Sequence, residues 1–306
     1  MKRRTLLRLL ALAGLTLSGG KCHRVHAQPT PSPVPPGTIP DVVWVENGEP
    51  EQLLAAGLNA MGSMKRFVSS GDVVVVKPNI GWDRAPDLAA TTNPDLVAAV
   101  VKECLAAGAK KVRVFDRTCN NARRCYVSSG IQEKAEAAGA EVSFVDDGRY
   151  KSLAIKNGEE LAQWPIYQDY LDATKVINVP VAKHHGLSRV TLGLKNLMGV
   201  MGGDRGSLHT PFDKKLIDIA GMILPALTII DGYRILLRNG PVGGNPRDVK
   251  QTRTLVMSPC TVAADHAALP LFGLTSADVG HLQAAVQRGL NKVSIDKMRL
   301  QKIRLS

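Results

Sequence analysis

The run Asp-Val-Val-Val-Val-Lys at residues 72–77, bounded by Gly71 and Pro78, decides the fold. Four successive β-branched residues leave the strand no polar face, so it must be covered on both sides, as strands of a parallel sheet are. Beyond it the period changes. Asn93 stands at a helix cap and Pro94 at the first helical position, while Leu96, Val97, Val100, Val101, Cys104 and Leu105 line one face up to Gly108. Residues 111–116 then read as a strand, 131–138 as a helix closed by Gly139, and 141–145 as a further strand. On the N-terminal side, 41–45 reads as a strand and 50–61 as a helix. Strands are also expected at 175–179, 227–230 and 254–257, and helices at 213–223, 263–271 and 276–288. This alternation defines an α/β fold: a mainly parallel sheet with helices on both faces.

Residues 182–211 fit neither period and hold six glycines. A long glycine-rich, irregular stretch inside an α/β domain is expected to be a functional loop rather than a plain connection.

The 306 residues carry 39 Lys and Arg against 27 Asp and Glu, a formal charge of +12. Six of those bases (Lys2, Arg3, Arg4, Arg8, Lys21 and Arg24) fall in residues 1–27, which hold no acid, so the rest of the chain is only mildly basic at +6. With 44% hydrophobic and 22% charged residues, disorder, collagen and a disulfide-dense miniprotein are excluded. An aromatic share of 4% and no nucleic-acid motif argue against a base-stacking partner, so no nucleic acid is expected.

The basic start, the apolar run at residues 6–17 and the Val25, His26, Ala27 cleavage pattern read as a signal peptide over 1–27. Its apolar part is too short for a stable membrane span. Arg3 and Arg4 ahead of Thr5, Leu6 and Leu7 resemble a twin-arginine signal. The twin-arginine export machinery is therefore an expected partner, and the location is periplasmic or otherwise exported. Six prolines in residues 28–40 mark a linker, and the folded domain is expected over 41–306.

Loops at the C-terminal strand ends of a parallel sheet are where ligands bind. They supply Lys77 and Asn79, Asp116 and Arg117, Lys183, His184 and His185, and Asp231. Lys77 closes a buried strand, where an ammonium needs a partner or an anionic ligand. In residues 191–209, Lys195 and Asn196 interrupt an apolar stretch, and Gly202 and Gly203 free backbone amides to turn toward an anion. His184, His185 and His209 with Asp204 and Asp231 are candidate metal ligands by type, without a helical His pair to fix their spacing. His185 is a candidate general acid or base. Cys119 and Cys125, six positions apart, are candidates for a disulfide after export, and Cys104 reads as core. No iron-sulfur cysteine spacing is present.

Lys77-Pro78-Asn79, Thr92-Asn93-Pro94, Val179-Pro180 with Lys183 and His185, the Leu-Lys-Asn-Leu-Met-Gly core of residues 191–199, Ile230-Asp231-Gly232, Gly240-Pro241 with Gly243, and Asp265 together resemble the domain-of-unknown-function 362 family. The resemblance implies an α/β domain, which some members fuse to ferredoxin-type modules that this sequence lacks. The layout is also similar to the nickel-dependent lactate racemase group, without alignable cofactor-bearing residues.

The expected function is a cleft binding an anionic small molecule or cofactor, with redox or acid-base chemistry. Lys77, Asn79, Lys183, Lys195, Asn196, Gly202 and Gly203 would hold the anion, and His185 would move a proton beside Asp231. The alternative is a non-catalytic metal or cofactor carrier for another exported enzyme. Whether a metal is part of the site is left open by the sequence.

Overall fold

The computed structural model describes residues 38–306. The expected signal peptide and most of the linker lie outside the described residues. The strands are β1 (Val42–Glu46), β2 (Val73–Pro78), β3 (Lys111–Val114), β4 (Glu141–Val142), β5 (Tyr150–Ala154), β6 (Gln163–Tyr167), β7 (Lys175–Val179), β8 (Val181–His185), β9 (Arg189–Thr191), β10 (Leu227–Leu236), β11 (Val249–Ser258) and β12 (Leu300–Arg304). Ten of them form one sheet in the order β12-β1-β11-β10-β7-β2-β3-β4, with the β8–β9 hairpin joined to β10; β5 and β6 pair separately. Six of the nine pairings in the large sheet are parallel, so the sheet is mainly parallel as its composition requires.

The valines of β2 explain why the sheet is sandwiched. Val74 and Val76 point to a core shared with α1 (Pro50–Met61), α2 (Pro94–Ala106) and the later helix Ile131–Ala137. Val75, one residue out of phase, points to the opposite core. Between α2 and Ile131–Ala137 lies α3 (Ala122–Ser128), so the latter is α4; the short α5 is Gln168–Leu171. The Val75 face is covered by α6 (Gly193–Asn196), α7 (Phe212–Ala220), α8 (Thr261–Ala268) and α9 (Gly280–Gln287). Lys77 shares the phase of Val75 and is therefore buried with no exposed surface beneath this second layer.

Several elements differ from the sequence reading for local reasons. β4 ends at Val142, and the next carbonyl, of Ser143, accepts from the Tyr126 hydroxyl at 3.0 Å. The expected helix at 276–288 splits into a single turn at Ser276–Asp278 and α9. Residues 182–211 are less irregular than their sequence suggests. β8 carries Lys183 and His185 as strand residues, because its backbone is paired with β10 and β9 rather than because its side chains alternate.

Asp231 is a structural carboxylate. It lies within β10, where Oδ2 accepts from the Asn93 N–H at 2.7 Å and Oδ1 from the Tyr233 N–H at 3.0 Å. Asn93 in turn caps α2 by accepting from the Asp95 N–H at 3.1 Å. Asp231 therefore ties β10 to the start of α2. Asp231→Ala leaves two buried N–H groups without acceptors and should lower stability by about 2–4 kcal/mol. Urea unfolding should show a reduced midpoint at constant slope.

Candidate functional site

The ends of β2 and β3, together with β8 and α6, surround a cavity of about 390 Å³ lined by Asn79, Asp116, Lys183, His185, Lys195 and Arg205 among others. Its floor is a buried polar network centred on Lys77. Lys77 Nζ donates to Asp116 Oδ1 at 2.8 Å, to the Pro78 carbonyl at 2.7 Å and to Asn196 Oδ1 at 3.3 Å. Asp116 Oδ2 accepts from the Ile80 N–H at 2.6 Å. Burial pulls the Lys77 ammonium down and the adjacent Asp116 carboxylate opposes it. The pair is thus internally neutralised.

Asn196 joins the layers. Its amide nitrogen donates to Asn178 Oδ1 at 2.9 Å and to the Lys77 carbonyl at 3.2 Å, while its Oδ1 also accepts from Asn79 Nδ2 at 3.1 Å. α6 is held by Asp265, whose oxygens accept from the Gly193 N–H at 2.6 Å and the Leu194 N–H at 2.9 Å. Burial pushes the Asp265 carboxyl up to about 7. Gly199 then crosses directly over the ion pair: a Cβ there would collide with both the Asp116 carboxylate and Lys77 Nζ. Within the Leu-Lys-Asn-Leu-Met-Gly run, Asn196 is thus the joint and Gly199 the close approach.

Lys183 and Lys195 stand above this floor, almost fully buried, and neither forms an ion pair among the described residues. Lys183 Nζ donates to Asn79 Oδ1 at 3.2 Å and to the Ala90 carbonyl. Asn79 is itself positioned by Thr92, whose hydroxyl accepts from the Asn79 N–H at 2.8 Å and donates to the Val179 carbonyl at 2.7 Å. Burial pulls Lys183 down to about 7 and Lys195 to about 8. Arg117 and Arg205 complete the cationic lining. Arg205 is fixed by donating to the carbonyls of Arg117 and Thr118, each at 3.1 Å. Arg117 donates to those of Met201 at 3.1 Å and Gly203 at 3.0 Å.

His185 accepts at Nδ1 from the N–H groups of Leu187 at 3.1 Å and Ser188 at 3.3 Å. These bonds assign the proton to Nε2. Burial, with Lys195 and Lys183 nearby, lowers the imidazole to about 3. In this arrangement His185 is a neutral imidazole whose Nε2 carries the proton, and Asp231, expected beside it, does not line the same cavity.

The structure brings Lys77, Asn79, Lys183, His185, Lys195 and Asn196 together, and leaves three expected residues aside. Asp231 does not line the cavity. Gly202 spends its N–H on the Pro165 carbonyl at 2.8 Å and packs on Tyr150, and Gly203 lies against Pro165, so neither amide serves the cavity. Cys119 and Cys125 are not bonded: Cys125 is buried on α3, whereas Cys119 is exposed at the cavity. Among the described residues, no three His, Cys, Asp or Glu side chains gather as a metal-ligand group. His184 Nδ1 accepts from the Gly240 N–H at 3.2 Å, and Asp204 caps Gly206 at 2.9 Å. Arg205 has no role in the sequence reading, because no spacing rule marks it.

Residues 74–270 match the family described as Domain of unknown function (DUF362), and the chain belongs to that family. A relative, the thylakoid-associated protein sll1697 of Synechocystis, is 29% identical over 247 residues, 78% of this chain and 75% of its own length. Two solved structures are similar to this chain. The lactate racemase apoprotein of Thermoanaerobacterium thermosaccharolyticum has a TM-score of 0.42 at 10% identity, covering 69% of this chain and 53% of its own. A Thermotoga maritima protein has a TM-score of 0.40 at 11% identity, covering 74% and 60%. This chain thus spans little more than half the length of either. Among the described residues, no helix is long and apolar enough to cross a membrane.

Asp116→Ala strands the buried Lys77 ammonium and should cost about 3–5 kcal/mol of stability in urea unfolding. A loss below about 1 kcal/mol would mean that the pair is not the structural centre of the site.

Proposed function

We propose that the protein binds a small anionic molecule in the cavity between the β2 and β3 ends, β8 and α6. The observation that carries this reading is charge imbalance. Arg117, Lys183, Lys195 and Arg205 line the cavity with a single carboxylate, Asp116, and that carboxylate is already engaged by Lys77 and the Ile80 N–H. Buried cations need a counter-charge, and the neighbouring protein atoms supply mostly neutral carbonyl oxygens. The ligand would bring the missing negative charge. Lys183, Lys195 and Arg205 contact it in this reading, the Nε2–H of His185 donates a further hydrogen bond, and Asn79 and Asn196 position the cationic groups.

As part of the same reading, the protein works in the periplasm or another exported location, which rests on the signal expected at residues 1–27.

Sulfate tests the proposal cleanly, since it stays dianionic across the range in which the lysines titrate. Protonated lysine binds the anion, so affinity should be highest below the lowered lysine values of about 7 and about 8 and fall as pH rises through them. His185, with a value near 3, adds no dependence between. Calorimetry from about pH 6 to about pH 9 should show roughly tenfold or greater weakening. Lys195→Ala should weaken binding by about tenfold while the fold survives. Affinity independent of both pH and Lys195 would contradict the proposal.

A further inference from the structure

Lys195 differs from the other buried lysines of the site in what surrounds its nitrogen. Lys77 Nζ has three oxygen acceptors and Lys183 Nζ has two. Lys195 Nζ instead meets the Met198 thioether sulfur at 3.3 Å and stands 5.1 Å from the centre of the Phe212 ring. No oxygen of the described residues accepts from it, although the side chain is only 8% exposed and lines the cavity. A buried ammonium kept for its charge is ordinarily given oxygen acceptors, as Lys77 is. Here one buried amine within the same site is left without them. Burial, the largest effect, and the Arg205 guanidinium oppose the charged form; the Phe212 face and the nearby Cys119 side chain favour it, and the balance is downward. A desolvated lysine beside other cations is the arrangement that frees an amine lone pair for attack on carbonyl carbon.

We propose that Lys195 is a nucleophilic lysine that forms an imine with a small anion carrying an aldehyde or ketone, whose anionic group rests on Arg205 and Lys183. This rests on the anion-site reading above and adds a covalent step to it. The Lys195 lone pair forms the C–N bond while the carbonyl π pair moves to oxygen. Both amine hydrogens then leave with that oxygen as water, and a C=N bond remains. Nothing is oxidised or reduced. The neutral His185, with its proton on Nε2, offers a hydrogen bond to the carbonyl oxygen during attack.

The test treats the full chain with pyridoxal 5′-phosphate or with pyridoxal, two aldehydes that differ by the phosphate, followed by borohydride reduction and peptide mapping. The phosphorylated aldehyde should label Lys195 roughly tenfold or more faster than pyridoxal does, and sulfate should suppress the label. If sulfate binds but the label falls on Lys183 or spreads over surface lysines with Lys195 unmodified, the imine proposal is overturned and the anion site stands. If sulfate neither binds nor protects, both readings fall together.

Discussion

The buried contact between Lys77 and Asp116 is the constraint on which the rest of the site depends. A charged strand residue beneath a helical layer is costly unless its partner and its remaining donors are all satisfied. Asp116 at the end of β3, the Pro78 carbonyl and Asn196 at the end of α6 meet that requirement together. Three segments distant in the sequence are thereby locked at one strand edge. Because Asp116 is consumed in this way, it cannot neutralise the other cations, and the cavity above is left electropositive.

Positioning and binding are divided among different residues. Asp231, Thr92 and Asn93 hold the strand and helix ends; Asp265 holds α6; Asn79 and Asn196 transmit that order to the lysines. In the proposed reading the ligand meets Lys183, Lys195, Arg205 and the Nε2–H of His185, all of which line the cavity. Much of the sequence pattern that resembles the DUF362 family falls on the positioning group, where Thr92, Asn93, Asn196, Asp231 and Asp265 each answer a specific hydrogen-bonding need. Gly199 belongs there too, since only a residue without a Cβ can pass over the ion pair.

The sheet was legible because Val74, Val75 and Val76 leave no polar face, and α2 because Asn93 and Pro94 mark its start while its apolar residues keep the helical period. Lys77 and Lys195 were legible as ammonium groups where an apolar environment was expected, and Lys183 as a cation of a loop at the strand ends. The strand character of β8 was not, because Val-Ala-Lys-His-His has no alternation and is ordered by pairing with β10. Arg205 escaped for a related reason: its place in the cavity is set by carbonyls of Arg117 and Thr118, some ninety residues away, which no local pattern encodes. Gly202 and Gly203 show the converse error. Gly203 does use a left-handed backbone and Gly202 its missing Cβ, but both serve packing against the β5–β6 hairpin, where Gly202 lies on Tyr150 and Gly203 on Pro165.

The central claim is that an anion occupies the space bounded by Lys183, Lys195 and Arg205. Anomalous diffraction from crystals of the full chain soaked in tungstate tests it most directly. A strong anomalous peak should lie within contact distance of those three side chains and vanish in the presence of excess sulfate. Tungstate peaks confined to surface lysines and arginines, with the cavity empty, would contradict it.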